Sequence, residues 1–303
     1  MNGKDLLSVA DLSGDDIQGL VDSATRSKGE PATPALAGKT LALLFENPSL
    51  RTRVSFEVAI AQLGGRCIYL SPAEVGLGKR ESVPDVARVL SRYVDVIAAR
   101  ASHEALRLLS RFATVPVINA LSELEHPCQA MADLLTIYEK KARLGGLTLA
   151  YVGDGNNVAN SLVLAASLAG MNVRIASPAG YLVQENIIQA ATGYCRRNNA
   201  ELICLDKPGL AVAGADVVYT DVWASMGQEA EASKRRQVFA AYQVNDELMS
   251  LAKKDAILMH PLPAHRGEEV SETILDEGQS VVFDQAENRM HFQKALLMRL
   301  LAR

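Results

Sequence analysis

Nowhere in this chain do two cysteines stand as a CxxC pair. The four present, Cys67, Cys128, Cys195 and Cys204, are scattered. Cys67 and Cys204 fall in strand-like apolar runs, where a buried, inert thiol is expected. This usage speaks against a disulfide-stapled exported domain and for a reducing, cytoplasmic setting. Met1–Lys4 leads into Asp5 without an apolar segment, so no secretory signal is expected. Long hydrophobic runs are missing too. The longest mostly apolar stretch, Leu162–Val173, is broken by Ser167, Gly170 and Asn172 and falls short of the ~20 residues of a membrane helix. Metal-ligand spacing is lacking as well. His260 and His265 come closest, but Pro261 and Pro263 break any helix that could offer both to one ion, so no metal site is expected. Nor is there an excess of positive charge. A net charge of −4 excludes a general binder of nucleic acid or anionic membranes and makes any basic site a local one.

What is present is material for two soluble cores: 303 residues, 49% apolar and 22% charged. Short apolar, β-rich runs alternate with helix-period segments. Strands are expected at Thr40–Phe45, Cys67–Leu70, Asp95–Ala99 and Val115–Asn119. After a helix from Pro127 to about Arg143, they are expected at Leu147–Val152, Asn172–Ala176, Glu201–Leu205, Asp216–Thr220, Ala256–Met259 and Ser280–Phe283. Continuously apolar strands belong to parallel sheets covered by helices on both faces. The expected fold class is α/β, with two doubly wound parallel-sheet domains joined by long helices. The first spans residues 1–143 and the second 144–285, with a break near Leu144-Gly145-Gly146 and a terminal helix, 286–303, packing back on the first. The loop-like stretches Leu70–Pro84 and Asp221–Arg236 have the length of lids or binding loops.

Five segments carry candidate chemistry. Ser49-Leu50-Arg51-Thr52-Arg53 opens a helix after the strand Thr40–Phe45. Free N–H groups, a positive dipole end and guanidinium forks together suit a phosphate dianion; an ordinary Ser cap with solvated arginines is the alternative. Arg100 ends an apolar strand, where ligands of open α/β sheets gather, although a strand-end arginine can equally sit in solvent. His126-Pro127-Cys128-Gln129 starts a helix with Pro127 at its first position, and His126 and Gln129 either bind a polarised carbonyl and amide or act as caps. Gly153-Asp154-Gly155-Asn156-Asn157-Val158 resembles the start of a dinucleotide fingerprint. Val158 replaces its third glycine and Asn172–Ala176 ends in no acid, so the two asparagines suit an amino-acid head group better than a nicotinamide cofactor. Asp221-Val222-Trp223-Ala224-Ser225-Met226-Gly227 can hold an ammonium and a carboxylate, or form a plain surface loop. In His260-Pro261-Leu262-Pro263-Ala264-His265-Arg266-Gly267 two prolines fix a turn rich in carbonyls and poor in N–H donors.

Taken in order along the whole chain, from Ser49–Arg53 to Asp284-Gln285-Ala286-Glu287-Asn288-Arg289, these segments resemble the carbamoyltransferase family. The resemblance implies acyl transfer from carbamoyl phosphate to an amine, without a covalent enzyme intermediate, metal or organic cofactor. It implies that Ser49, Leu50 (through its amide), Arg51, Thr52 and Arg100 hold the phosphate. His126 and Gln129 then meet the carbonyl and amide, and Arg289 closes over the site. Catalytic roles fall to Arg51, Thr52, Arg100 and His126. Asn157, Asp221, Ser225 and Met226 would hold the head group of the second substrate, with Pro261 and Leu262 contributing carbonyls to both substrates. In the family, Asp-x-x-x-Ser-Met-Gly marks L-ornithine rather than aspartate as that substrate, and the product is then citrulline. Two positions depart from the pattern. Pro261 stands where ornithine-using members commonly carry cysteine, as in the aspartate branch, yet Ala264 lacks the arginine that branch needs. Gly76 stands where a glutamine usually reaches the neighbouring subunit. The resemblance further implies a homotrimer, arginine metabolism and closure of the second domain over bound carbamoyl phosphate. Rival readings are an aspartate-specific transferase, a nicotinamide-dependent oxidoreductase and a non-catalytic binding protein.

Overall fold

Parallel strands buried on both faces must be apolar along their length, and the central strands meet that condition. The structure, a computed structural model, describes residues 5–224 and 229–302. In the first unit β1 (Thr40–Phe45), β2 (Arg66–Leu70), β3 (Val96–Arg100) and β4 (Val117–Leu121) form one parallel sheet in the order β2-β1-β3-β4. In the second, β5 (Thr148–Val152), β6 (Asn172–Ala176), β7 (Leu202–Leu205), β8 (Val217–Thr220) and β9 (Ile257–Met259) are parallel in the order β7-β6-β5-β8-β9. β3 is buried throughout, whereas the edge strands β2 and β7 expose Ile68 and Ile203. The chain belongs to the α/β class as two parallel-sheet units.

Both strand orders reverse direction once. In the first sheet the reversal lies between β1 and β3, and in the second between β5 and β8. Crossovers leave the sheet on opposite sides at such a point, and the crevice at the carboxyl ends of the two strands becomes the place where ligands bind. The ends in question carry Phe45 paired with Arg100 in one sheet, and Val152 paired with Thr220 in the other. Each unit therefore offers one crevice, and the candidate residues fall beside it.

Ser280–Phe283, expected as a strand, is not one. A single bridge joins Ser280 to Leu258, and the helix Val282–Leu301 has begun two residues later. Gln285 N–H donates to the carbonyl of Val281 at 2.9 Å, a first helical bond. So short a run, with three apolar residues after Ser280, cannot distinguish a strand from a helix start. The two units comprise residues 1–135 with 287–303, and residues 136–286. Both passages of the chain between them lie inside helices, Pro127–Lys141 and Val282–Leu301.

Each unit has a core of its own. In the first unit Ala42, Leu44, Ile97 and Ala99 of the sheet pack with Val86, Ala87, Leu106 and Leu109 of flanking helices. In the second, Ala150, Val152, Val218 and Leu258 pack with Ala211, Val212, Phe239 and Val282. Each large apolar side chain so buried contributes roughly 1.5–3 kcal/mol, which holds the strand ends that display the polar residues. Among the described residues no helix is long and apolar enough to cross a membrane.

Candidate active site

In the first unit the turn after β1 leads into the helix Leu50–Gln62. Ser49 stands at its N-cap with extended backbone, φ −154° and ψ 118°, and its hydroxyl makes no capping bond. No acidic residue occupies the first helical turn, so the dipole and free N–H groups there are uncompensated. Leu50 turns its side chain outward, 74% exposed, leaving its N–H at the helix start. Thr52 is buried, and its Oγ1 accepts a 2.6 Å hydrogen bond from Nη2 of Arg289. Nη1 of Arg289 donates to Oε1 of Gln129 at 2.9 Å, and Nε2 of Gln129 donates to Oδ1 of Asp133 at 2.8 Å. One guanidinium thus ties together the starts of the helices Leu50–Gln62 and Pro127–Lys141.

Arg51 is half-buried and Arg100 is buried. Burial lowers the pKa of both, and the charge of Arg51 lowers that of Arg100 further. Among the described residues no carboxylate lies within ion-pair distance of either, and the buried Nε–H of Arg100 meets no acceptor. His126 precedes Pro127, with its carbonyl accepting the N–H of Ala130 at 3.2 Å. Burial, then the charges of Arg289 and Arg100, hold its imidazole well below its usual range and keep it neutral. A neutral imidazole beside several guanidiniums can donate one N–H to a polarised oxygen without competing as an acid.

In the second unit Asn156 caps the helix Asn157–Leu168, its Oδ1 accepting the N–H groups of Val158 and Ala159. Its Nδ2 donates to Oδ2 of Asp221 at 2.7 Å, across the β5–β8 reversal. Burial raises the pKa of Asp221, opposed by the nearby His260 and by this hydrogen bond. A buried carboxylate in that condition favours a cation as its partner. Asn157, named from sequence, is the first residue of the helix and half-buried. Asn156 is the one that reaches Asp221. Ser225 and Met226 lie outside the described residues.

Pro261 and Leu262 follow β9. His260 is fully buried: its Nδ1 accepts the N–H of Leu262 at 2.9 Å, and its Nε2 lies 3.2 Å from Oε1 of buried Glu269. Because Nδ1 accepts, the proton sits on Nε2 and points at the carboxylate. Leu262 itself has φ +56°, a left-handed conformation costly for a leucine. The bond from its N–H to His260 holds that turn. His265, Glu268 and Glu269 bring possible ligand atoms within 4.8 Å of one another. Glu268 is already paired with Arg236 at 2.8 Å and Glu269 with His260.

Two glycines settle local questions. A Cβ on Gly155 would lie 2.2 Å from backbone atoms of Leu182 and Val183. That glycine is required by the passing chain, so a bound pyrophosphate is not needed to explain it. Gly76 has φ +53°, and a Cβ there would meet that of Arg80 at 2.8 Å. A glutamine at this position would force the loop into another shape. Sequence reasoning named both asparagines for a head group without foreseeing that Asn156 caps the helix and holds Asp221, and it missed His260 and Glu269 as structural partners of the site. For Asn156 the signal was available, since asparagine immediately before an apolar helix is a strong cap.

Comparison with known proteins agrees over nearly the full length. The carbamoyl-P binding domain of aspartate/ornithine carbamoyltransferases matches residues 4–139, and their Asp/Orn binding domain matches residues 145–300. The ornithine carbamoyltransferase of Halalkalibacterium halodurans is 52% identical, over 99% of this chain and 96% of that protein. The anabolic ornithine carbamoyltransferase of Pyrococcus furiosus is 50% identical, over 97% of this chain and 95% of its own length. Among solved structures, ornithine carbamoyltransferase from Pyrococcus furiosus superposes with a TM-score of 0.95 at 50% identity, covering 98% of this chain and 96% of that one. The enzyme from Thermus thermophilus gives 0.90 at 46%, covering 99% and 100%. With both domain models matched in order and relatives at half identity end to end, the chain belongs to the aspartate/ornithine carbamoyltransferase family.

Proposed function

We propose that this chain transfers the carbamoyl group of carbamoyl phosphate to the δ-amine of L-ornithine, giving L-citrulline and phosphate. The observation that carries the reading is the pair Arg51 and Arg100, two guanidiniums at one strand reversal with no carboxylate partner among the described residues. A phosphate dianion supplies the missing charge. The Ser49 hydroxyl, the Leu50 N–H, Arg51, Thr52 and Arg100 hold it, with the helix start behind them. His126 and Gln129 face the carbonyl oxygen and the amide, and Arg289 locks Thr52 and Gln129 in place.

The δ-amine, with a reference pKa near ~10.4, must first lose its proton. Its lone pair then attacks the carbonyl carbon, an oxyanion forms, and the bond to the phosphate oxygen breaks. The departing phosphate or a water takes the proton. Aligning the two reactants supplies roughly 7–11 kcal/mol at best. Each donor aimed at the oxyanion, from His126, Thr52 and Arg100, is worth roughly 2.7–4 kcal/mol. Asp221, buried and held by the Asn156 amide, takes the α-ammonium of ornithine. Ser225 and Met226 take its carboxylate, and Asn157 stands at the same head group. The carbonyls of Pro261 and Leu262 orient the attacking nitrogen.

A homotrimer completes the reading. It is supported by Leu50, Val54 and Val58, exposed at helical spacing on one side of the helix Leu50–Gln62, and by exposed Ile68 on the edge strand β2. Such an apolar stripe is favourable only when covered. Arginine biosynthesis is supported by the anabolic relative, and a cytoplasmic setting by the scattered cysteines. The test is citrulline formation with ornithine, aspartate and putrescine supplied side by side. Ornithine alone should be turned over rapidly, and Arg51→Ala should lose nearly all activity. No citrulline, or near-normal kcat/KM in Arg51→Ala, would overturn the assignment.

A further inference from the structure

Arg235, in the helix Ala232–Phe239, is buried and takes no part in the chemistry above. Its Nη1 donates to Oδ2 of Asp154 at 2.9 Å and to the carbonyl of Trp223 at 2.7 Å. Its guanidinium carbon stands 4.7 Å over the ring of Tyr181, and its Nε lies 3.4 Å from Oε2 of Glu231. The Trp223 ring stacks on Phe239 at 5.9 Å, and Phe239 meets Tyr181 edge-on at 5.0 Å. Asp154 comes two residues before Asn156, and Trp223 two residues after Asp221. One guanidinium therefore bridges the turns that follow β5 and β8, just outside the Asn156–Asp221 hydrogen bond.

We propose that Arg235 is a positioning residue for the amino-acid substrate: by bridging Asp154 and the Trp223 carbonyl it sets where Asp221 stands to receive an α-ammonium. The proposal rests on the reading of Asp221 given above. A buried arginine–carboxylate pair is seldom the most stable way to fill a protein interior, because desolvation offsets its attraction. What it supplies that an apolar pair does not is direction. The two N–H groups of Nη1, held in the guanidinium plane, fix two acceptors at once, here one on each turn. Lysine can keep the charge near Asp154, but its shorter side chain ends before the Nη1 position from which both bonds are made, and it has no guanidinium carbon to stand over Tyr181.

The chain's one tryptophan is Trp223 itself, so its fluorescence reports this turn directly. The test uses the full-length enzyme as wild type, Arg235→Lys and Asp154→Asn, titrated with ornithine at saturating carbamoyl phosphate and the reverse. Kinetics and Trp223 emission are recorded together. Arg235→Lys is expected to raise the KM for ornithine about tenfold or more while the KM for carbamoyl phosphate stays within about twofold. The midpoint of the ornithine-dependent emission change should move by the same factor, and Asp154→Asn should fall between. Should Arg235→Lys not fold, the nearly isosteric Asp154→Asn decides on the same criteria. An ornithine KM unchanged in the variants, or both KM values rising together, would overturn the proposal. A wild-type enzyme that does not use ornithine would instead overturn the functional reading on which it stands, before any variant is compared.

Discussion

Arg100 lies in the field of Arg51: burial first, and then that neighbouring positive charge, lower its pKa from the ordinary guanidinium value. Two like charges held close in a partly buried crevice raise the energy of the ligand-free protein. Arg100→Gln should therefore melt at or above the wild-type temperature without ligand. It should also lose the stabilisation by inorganic phosphate, which for wild type reaches about 2.7 kcal/mol at a hundred times Kd. Thermal melts across a phosphate titration check both halves. A variant that melts early yet keeps the full phosphate shift would show that Arg100 serves the fold and not the anion.

His126 gives a pH dependence of definite sign. Burial, Arg289 and Arg100 hold its folded pKa well below the ordinary imidazole value of about 6.5. Above that value neither the folded nor the unfolded chain carries the proton, and the full stability is present. As pH falls below it, the unfolded chain takes up a proton that the folded chain refuses. Stability then drops by up to about 1.4 kcal/mol per pH unit until the folded pKa is reached. His126→Gln cannot show this contribution. Between pH 6.5 and 5 the wild type should lose melting temperature more steeply than the variant, and parallel curves would remove the assignment.

How much of this was legible beforehand depended on how local the signal was. Nine strands stand within about two residues of their expected places because a strand buried on both faces writes itself as an apolar run. Ser280–Phe283 misled because its three apolar residues can equally begin a helix. That Ser49–Thr52 opens a helix and Arg100 ends a strand was readable, because strand ends and a helix start are local features. Arg289 was identifiable only through family resemblance, since nothing near it in sequence shows that it will bond to Thr52 and Gln129. Arg235 was not legible at all. Its partner Asp154 is 81 positions away, and a lone arginine on a charged helix looks solvated.

Gly155 separates a packing role from a cofactor role. A methyl group there would lie 2.2 Å from the backbone of Leu182 and Val183, which no rotamer change relieves. Gly155→Ala should cost about 3 kcal/mol or more, in the range of severe core overpacking. Chemical denaturation measures it directly. NADH should neither protect the wild type nor bind it tightly in a fluorescence titration.

Pro261 stands where ornithine-using relatives are expected to carry cysteine, yet the turn around it is already held. Leu262 N–H bonds to His260, and His260 to Glu269. If backbone carbonyls orient the attacking amine, Pro261→Cys should leave kcat with ornithine within about tenfold of wild type. A rise of several orders of magnitude would mark the natural chain as impaired with ornithine or tuned to another amine.

Asn156 does two jobs with one side chain, and two substitutions pull them apart. Its Oδ1 caps the helix Asn157–Leu168 while its Nδ2 holds Asp221 at 2.7 Å. Aspartate is as good an N-cap as asparagine, so Asn156→Asp should keep the helix start. It also sets a second carboxylate against Asp221, and two such groups cannot both stay ionised in a buried site. Stability should then stay near wild type only at low pH, and fall by up to about 1.4 kcal/mol per pH unit above the ordinary carboxyl range, because the folded pair keeps a proton that the unfolded chain releases. The KM for ornithine should rise about tenfold or more, and less so with increasing pH as the shared proton is lost. Asn156→Ala removes both jobs, costing about 1 kcal/mol for the cap and a further 1–3 kcal/mol for the stranded carboxylate. Denaturation midpoints and ornithine kinetics on the two variants decide it. Were Asn156→Asp to bind ornithine as well as wild type does, Asp221 would not be the group that meets the ammonium.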